Sequence, residues 1–260
     1  DMKMKKLATF RSLPVGFAIV LASCGGGGGG GVGSTSTQGS SGINFGGTAA
    51  TGAAITQAPV AVKCKGGVQT TTTTSDTGFY AVNVAVPAQL PCVVRVNGPT
   101  GALHAVIASA AEGVESNITP LTELQLSAAV GMSASRFFDV FSTSDLGLVS
   151  TTRLTQAQKE VVDALRPAVN VSGLPSFVNA PLVPAVASKG QMGNPHDQML
   201  DQLQEKMLAQ RINMTQIQTV LLTEQVGAKA GEVLWGSSVQ GPVGIAQAPA
   251  PAPTPTPTPT

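Results

Sequence analysis

The sequence predicts an α+β fold, with a small antiparallel β-sandwich over residues 43–118 and a helical region over 119–240. Short Val- and Thr-rich runs broken by Gly, Pro and Asn fill the first region, as in small sandwiches. Beyond Thr119-Pro120 the apolar residues recur at helical spacing instead. Residues 1–23 read as a removed signal, 24–42 are almost entirely small and flexible, and 248–260 are Ala, Pro and Thr, so only about 43–240 is left to fold, as one modest domain or two small ones.

Reading from Met2, a basic region of Lys3, Lys5, Lys6 and Arg11 precedes an apolar stretch from Leu13 to Leu21. That stretch is far short of the roughly 20 residues of a membrane-spanning helix. Pro14 and Gly16 weaken it as a buried helix, so residues 1–23 read as an export signal. The residues that close it, Leu21-Ala22-Ser23-Cys24, resemble the lipobox of bacterial lipoproteins. The resemblance implies a diacylglycerol thioether on the Cys24 sulfur, cleavage before Cys24 and acylation of the new amino group. Cysteine suits this chemistry because its thiolate is a strong nucleophile. Two or three acyl chains, at about 0.8 kcal/mol per buried methylene, exceed what stable anchoring requires. Gly25, where enterobacterial sorting rules would place Asp to retain a lipoprotein, implies export onward to the outer membrane. The expected location is therefore the cell envelope, with the lipid bilayer as a partner through Cys24.

Residues 24–42 follow as a lipidated tether: eight of the nine residues Gly25–Gly33 are glycine, and Ser and Thr supply most of the rest. Such a coil has a root-mean-square span of about 20–25 Å, which sets the folded part away from the headgroups and lets it reorient. Residues 241–260 are expected to be a disordered tail, because Ala248 to Thr260 alternates Pro with Ala or Thr and favours polyproline II. Thr254, Thr256, Thr258 and Thr260 are candidate O-glycosylation sites within it.

Only 11% of residues are charged and 4% aromatic, so the core must be built from small aliphatic side chains. The chain carries a formal charge of +1; removal of residues 1–23 leaves 11 bases and 13 acids, or −2. A slightly acidic chain without clustered bases is a poor nucleic-acid ligand.

Strands are expected near 44–49, 58–64, 67–74, 78–86, 92–97, 103–109 and 114–118. The clearest is 78–86, where Phe79, Ala81 and Asn83 alternate with Tyr80, Val82, Val84 and Val86, so that one face is buried. Three segments, Gly47-Thr48-Ala49-Ala50-Thr51-Gly52-Ala53-Ala54, Val60-Ala61-Val62-Lys63 and Thr74-Ser75-Asp76-Thr77-Gly78-Phe79-Tyr80, resemble the carboxypeptidase regulatory-like, transthyretin-like fold. In the last of these, Asp76 can bond backbone groups ahead of it, Gly78 accepts a positive φ, and an aromatic residue then enters the core.

Cys64 and Cys92 are the two cysteines left after lipidation. In an exported domain a disulfide is their natural pairing. Closing a loop of about 29 residues would stabilise the fold by roughly 3–4 kcal/mol on the chain-entropy model. Two sulfurs without His or Cys neighbours in sequence make a poor zinc site, and they lack redox C-x-x-C spacing.

Thr119 supplies an N-cap hydroxyl and Pro120 a first helical position for a helix carrying Leu121, Leu124, Leu126 and Ala128, closed by Gly131. Ser116-Asn117-Ile118-Thr119-Pro120-Leu121-Thr122-Glu123-Leu124, with Leu90-Pro91-Cys92, resembles a group of Gram-negative lipoproteins in which a sandwich runs into such a helix. That group has no assigned activity, so the resemblance implies an architecture and not a reaction. Further helices are expected at 133–142, with Phe137, Phe138 and Phe141, and at 153–169, with Leu154, Ala157, Val161, Leu165 and Val169. Another starts at Asn194-Pro195, with Met199, Leu200, Leu203, Met207 and Leu208. A last one, capped by Thr215, carries Ile217, Val220, Leu221 and Val226 and stops at Gly227. These stripes read first as core, since Met at helical spacing fills gaps.

Catalysis draws on His, paired carboxylates, activated nucleophiles or metals, and the supply here is thin. His104 falls in an expected strand and His196 in the first turn of a helix. His196, Asp197 and Asp201, with Glu205 nearby, form a weak candidate cation site, read in preference as an acidic helix start that complements the macrodipole. No G-x-S-x-G, G-x-x-x-x-G-K-[ST], H-E-x-x-H or EF-hand pattern occurs. The expectation is a lipoprotein that is not an enzyme, takes no cofactor, and serves as a non-catalytic binding or structural module for an envelope protein or glycan. The alternatives are an accessory subunit of an envelope hydrolase or peptidase, which the regulatory-like resemblance implies, and a carrier of an apolar ligand among the Met and Phe stripes.

Overall fold

The computed structural model describes residues 42–85, 87–108, 115–141, 146–186, 190–223 and 228–236. The segments expected to be an export signal, a lipidated tether from Cys24 to residue 41 and a tail from residue 241 lie outside the described residues, which all belong to one compact unit.

Six strands come first: β1 (Ile43–Thr48), β2 (Pro59–Lys65), β3 (Gln69–Thr73), β4 (Phe79–Val84), β5 (Gln89–Gly98) and β6 (Gly101–Ile107). Six α-helices follow among the described residues: α1 (Pro120–Val130), α2 (Ala134–Val140), α3 (Thr151–Leu165), α4 (Pro195–Gln210), α5 (Met214–Thr223) and α6 (Ala228–Trp235). All strand pairs are antiparallel. β1 pairs with β4, and a four-stranded sheet runs in the order β3-β2-β5-β6. The chain is thus α+β, strands first and helices after.

Alternation along the strands explains how the layers stack. Phe45, Tyr80, Val82 and Val84 from the two-stranded sheet share one core with Val60, Val62, Val94, Val96, Leu103, Ala105 and Ile107 from the four-stranded sheet. The intervening residues Val93 and Val106 face the other way and join the helical core with Leu121, Leu124, Phe137 and Phe138. Central strand β5 and its edge neighbour β6 therefore bury apolar residues on both faces, and their apolar runs are interrupted only by Arg95 and by His104.

Helix α1 lies between this sheet and the outer helices, and every residue from Leu121 to Val130 is buried. Its start follows from local chemistry. Thr119 and Thr122 form a reciprocal capping box, Pro120 occupies the first turn, and Gly131 ends the helix at φ 69°. Arg153 donates from α3 to the Ala128 and Ala129 carbonyls at the other end.

Four expectations need correction. The segment 114–118 is no strand in its described part: it makes a single parallel bridge, Ala49 to Ile118, because the Thr48 N–H that would extend the ladder goes to Asn117 Oδ1 and the Ser116 carbonyl takes the Tyr80 hydroxyl instead. The helix expected at 153–169 spans Thr151–Leu165 instead; Ser150 caps it, and Pro167, with no N–H and a clashing ring, prevents its continuation. The cap of α5 is Asn213, not Thr215, since Asn213 and Gln216 each accept the other's backbone N–H. Helix α6 lies beyond the Gly227 at which the last helix was expected to stop. No described helix is long and apolar enough to cross a membrane.

Candidate functional site

Cys64 and Cys92 are direct register partners across β2 and β5, with their Cα atoms 4.0 Å apart and their sulfurs at bonding distance. Both are buried in the core between the sheets. The pair crosslinks neighbouring strands and faces no cleft.

The two histidines sit in packing. On β6, His104 points into the helical side of the sheet, is fully buried, and places Nδ1 2.7 Å from the Glu123 carboxylate on α1. Thr122 Oγ1 donates to the His104 carbonyl, and Gln218 on α5 donates to both Glu123 Oε1 and Ser127 Oγ. The imidazole rests against Phe138 at 5.6 Å between ring centroids. Its Nε2 has no hydrogen-bond partner in the structure. This is a polar lock between sheet, α1 and α5, with no open face for a substrate.

His196 is 2% exposed in the first turn of α4, and neither ring nitrogen has a partner in hydrogen-bond geometry. Burial lowers its pKa from the ordinary 6.5, and the nearby Ala180 and Pro181 carbonyls oppose that shift. Asp197 accepts from the Ala185 N–H at 2.9 Å, and burial, helped by the Asp201 charge, raises its pKa. Asp201 is raised too, by burial and then by Glu205. The described residues contain no group of three or more His, Cys, Asp or Glu side chains placed to hold a metal ion. Asp197 serves instead to tie the 181–185 segment to α4, which Asn194 caps.

The apolar stripes proposed as a ligand groove pack on one another, except for Leu208 at the end of α4, which is exposed. Phe137, Phe141, Leu200 and Leu203 are all buried in the helical core, and Met199 and Met207 pack against it.

What remains open is the outer face of the two-stranded sheet. Register pairs Asn44 with Asn83, Gly46 with Ala81 and Thr48 with Phe79, so these six residues line the side away from the core. Gly46 leaves room for the Phe79 ring, whose tip lies 3.5 Å from where a β-carbon on residue 46 would stand. The ring is nevertheless 51% exposed. Asn83 donates to Asn44 at 2.5 Å, which spends one amide hydrogen and one carbonyl oxygen and leaves the other half of each amide to solvent. Together with Glu115, these residues line a shallow cavity of about 690 Å³.

A strap at residues 115–118 holds this face in shape. Ser116 and Ile118 donate to the Gly46 and Thr48 carbonyls, and Asn117 Oδ1 accepts from the Thr48 N–H. Tyr80 reaches through the core to the Ser116 carbonyl, and burial raises its phenol pKa well above the ordinary value. An aromatic plate rimmed by amides and one carboxylate can pack against an apolar ligand face and hydrogen-bond its polar edge. The alternation in β4 already put Phe79, Ala81 and Asn83 on one face, but nothing local in sequence pointed to Asn44 or Glu115 beside them.

No family model, curated protein or solved structure matches the chain.

Proposed function

We infer that this chain is a Gram-negative outer-membrane lipoprotein, tethered through acylated Cys24, whose folded part is a non-catalytic module binding an envelope protein or glycan. The observation that carries the binding role is the contrast between Phe79, half exposed on a shaped polar-rimmed face, and His104 and His196, both sealed in packing. The lipobox residues Leu21-Ala22-Ser23-Cys24 support the anchor, and the glycine-rich tether would let the Phe79 face seek its partner. The reading of 43–118 as a transthyretin-like, carboxypeptidase regulatory-like sandwich is supported by the third quoted segment: Gly78 takes φ 76° and Tyr80 enters the core. That same likeness favours, as the second reading, an accessory subunit of an envelope peptidase or hydrolase.

A photo-crosslinking residue at Ala81, exposed beside Phe79, tests the role in living cells. A discrete adduct that disappears with Phe79→Asp is expected. The binding role is overturned if Ala81 yields no adduct, if Phe79→Asp leaves it unchanged, or if the purified protein shows turnover that His104 or His196 variants lose.

A further inference from the structure

A second open surface lies on the opposite side of the molecule, where the helices stop short of covering the four-stranded sheet. The register runs Thr71 on β3, Ala61 on β2, Arg95 on β5 and His104 on β6 across one row, all on the helix-facing side. α1 and α2 cover the β6 end of that row. At the β3 end the small Ala61 forms the floor of a recess of about 410 Å³. Arg95, Lys63, Thr71 and Gln69 surround it, and the carboxyl-terminal turn of α2, with Phe138 and Asp139, closes one side.

The cations are fixed in place before any ligand arrives. Lys63 Nζ stands 4.6 Å and Arg95 Cζ 4.4 Å from the centroid of the same Phe138 ring, which is itself buried against His104. Lys63 donates to the Phe138 and Asp139 carbonyls at 3.0 and 3.4 Å, neutralising the end of α2. Arg95 is different. Among the described residues its guanidinium makes no hydrogen bond. Its one ionic neighbour, Asp139 Oδ1, is 3.7 Å away on a side chain that is 68% exposed. Exposed pairs at such separation contribute little. A planar fork of donors, stacked on an aromatic ring and lacking a close acceptor, is a preorganised receptor for an oxyanion.

We propose that this recess binds a compact oxyanion, a carboxylate or a phosphate, with Arg95 as the principal donor, Lys63 as the second positive charge and the Thr71 hydroxyl and Gln69 amide at its edge. Asp139 occupies the position of a competing anion and is displaced when the ligand enters. The site is separate from the Phe79 face and does not depend on it.

The test uses the purified full chain titrated with sodium phosphate and, separately, with sodium acetate at constant ionic strength, following the Arg95 Nε–H resonance by NMR. Saturable movement of that resonance is expected with at least one of the two, and which one answers distinguishes phosphate from carboxylate recognition. Arg95→Gln should weaken binding at least tenfold, given the worth of charge-assisted hydrogen bonds. Asp139→Asn, at an exposed position where folding is not at stake, should tighten it about two- to fivefold by removing the competing charge. The proposal is overturned if neither anion gives a saturable shift, if Arg95→Gln binds as the parent does, or if Asp139→Asn fails to tighten binding.

Discussion

Replacing Glu123 by Ala probes the joint between sheet and helices most severely. The carboxylate is the partner of His104 Nδ1 at 2.7 Å and of Gln218 Nε2 at 2.7 Å, and the two side chains of the His–Glu pair are 0% and 5% exposed. Truncation leaves the imidazole with both nitrogens unpaired in a dry site. One buried donor stripped of its acceptor costs about 1–3 kcal/mol. Losing the packed Cγ methylene adds about 0.8 kcal/mol of transfer free energy, before any cavity cost. Gln218 keeps Ser127 and contributes little. The expected loss is therefore about 2–4 kcal/mol before any cavity cost, overlapping the roughly 3–5 kcal/mol of breaking a buried polar pair from one side. Glu123→Gln keeps an acceptor for His104 and should lose far less. The double variant His104→Phe, Glu123→Leu removes both partners and should be more stable than Glu123→Ala, since an apolar replacement strands no polar group. Denaturant unfolding followed by circular dichroism gives all three values. A loss under about 1 kcal/mol for Glu123→Ala, or a double variant worse than Glu123→Ala, would refute a polar lock whose cost lies in stranded groups.

Three further outcomes are expected. Changing Cys64 and Cys92 together to Ala, which opens a sequence separation of 28 residues, should lower stability by about 3–4 kcal/mol in the same assay, and reducing agent should then have no further effect. Because burial lowers the pKa of His196 below 6.5, the unfolded chain takes up a proton that the native one refuses as pH falls through that value. Stability should decline from pH 7.5 downward by at most about 1.4 kcal/mol per unit, and His196→Leu should abolish the decline. Asp197 and Asp201, whose values are raised, act in the opposite sense: their contribution is present in acid and lost as pH rises through their native values, so the slope should reverse at lower pH. Gly47→Ala should lose about 1–3 kcal/mol or prevent folding, as a β-carbon there meets the Ser116 backbone at 2.2 Å and that strap cannot yield.

Much of the fold was legible wherever the physics is local. Thr119, Pro120 and Gly131 delimit α1 because caps act within a turn, and the Phe79-to-Val84 alternation shows its faces because pleating has period two. Where tertiary packing overrides propensity, sequence misled. Helix α6 carries Gly231 in its middle, a poor helix former. It is held because the missing side chain lets α6 approach the end of α3, where a β-carbon would stand 2.9 Å from the Ala164 carbonyl and Trp235 Nε1 donates to that same oxygen. The end of α3 was overrun because the apolar stripe continues to Val169 past Pro167. The polar lock was hidden for another reason: His104 and Glu123 are 19 residues apart and meet only once β6 and α1 are in register. Both surface features share that origin, since Asn44 meets Asn83 through strand pairing, and Arg95 and Lys63 share the Phe138 ring only once α2 packs on the sheet.

The membrane anchor is the claim on which the functional reading rests. It is tested most directly by cell fractionation, with intact-mass measurement of the parent chain and of Cys24→Ala. The parent is expected in the outer-membrane fraction, beginning at residue 24 with a mass increased by two or three acyl chains, and Cys24→Ala is expected to remain unprocessed and without added lipid. A Cys24→Ala protein that is cleaved and sediments with membranes as the parent does, or a parent that carries no lipid, would contradict the account.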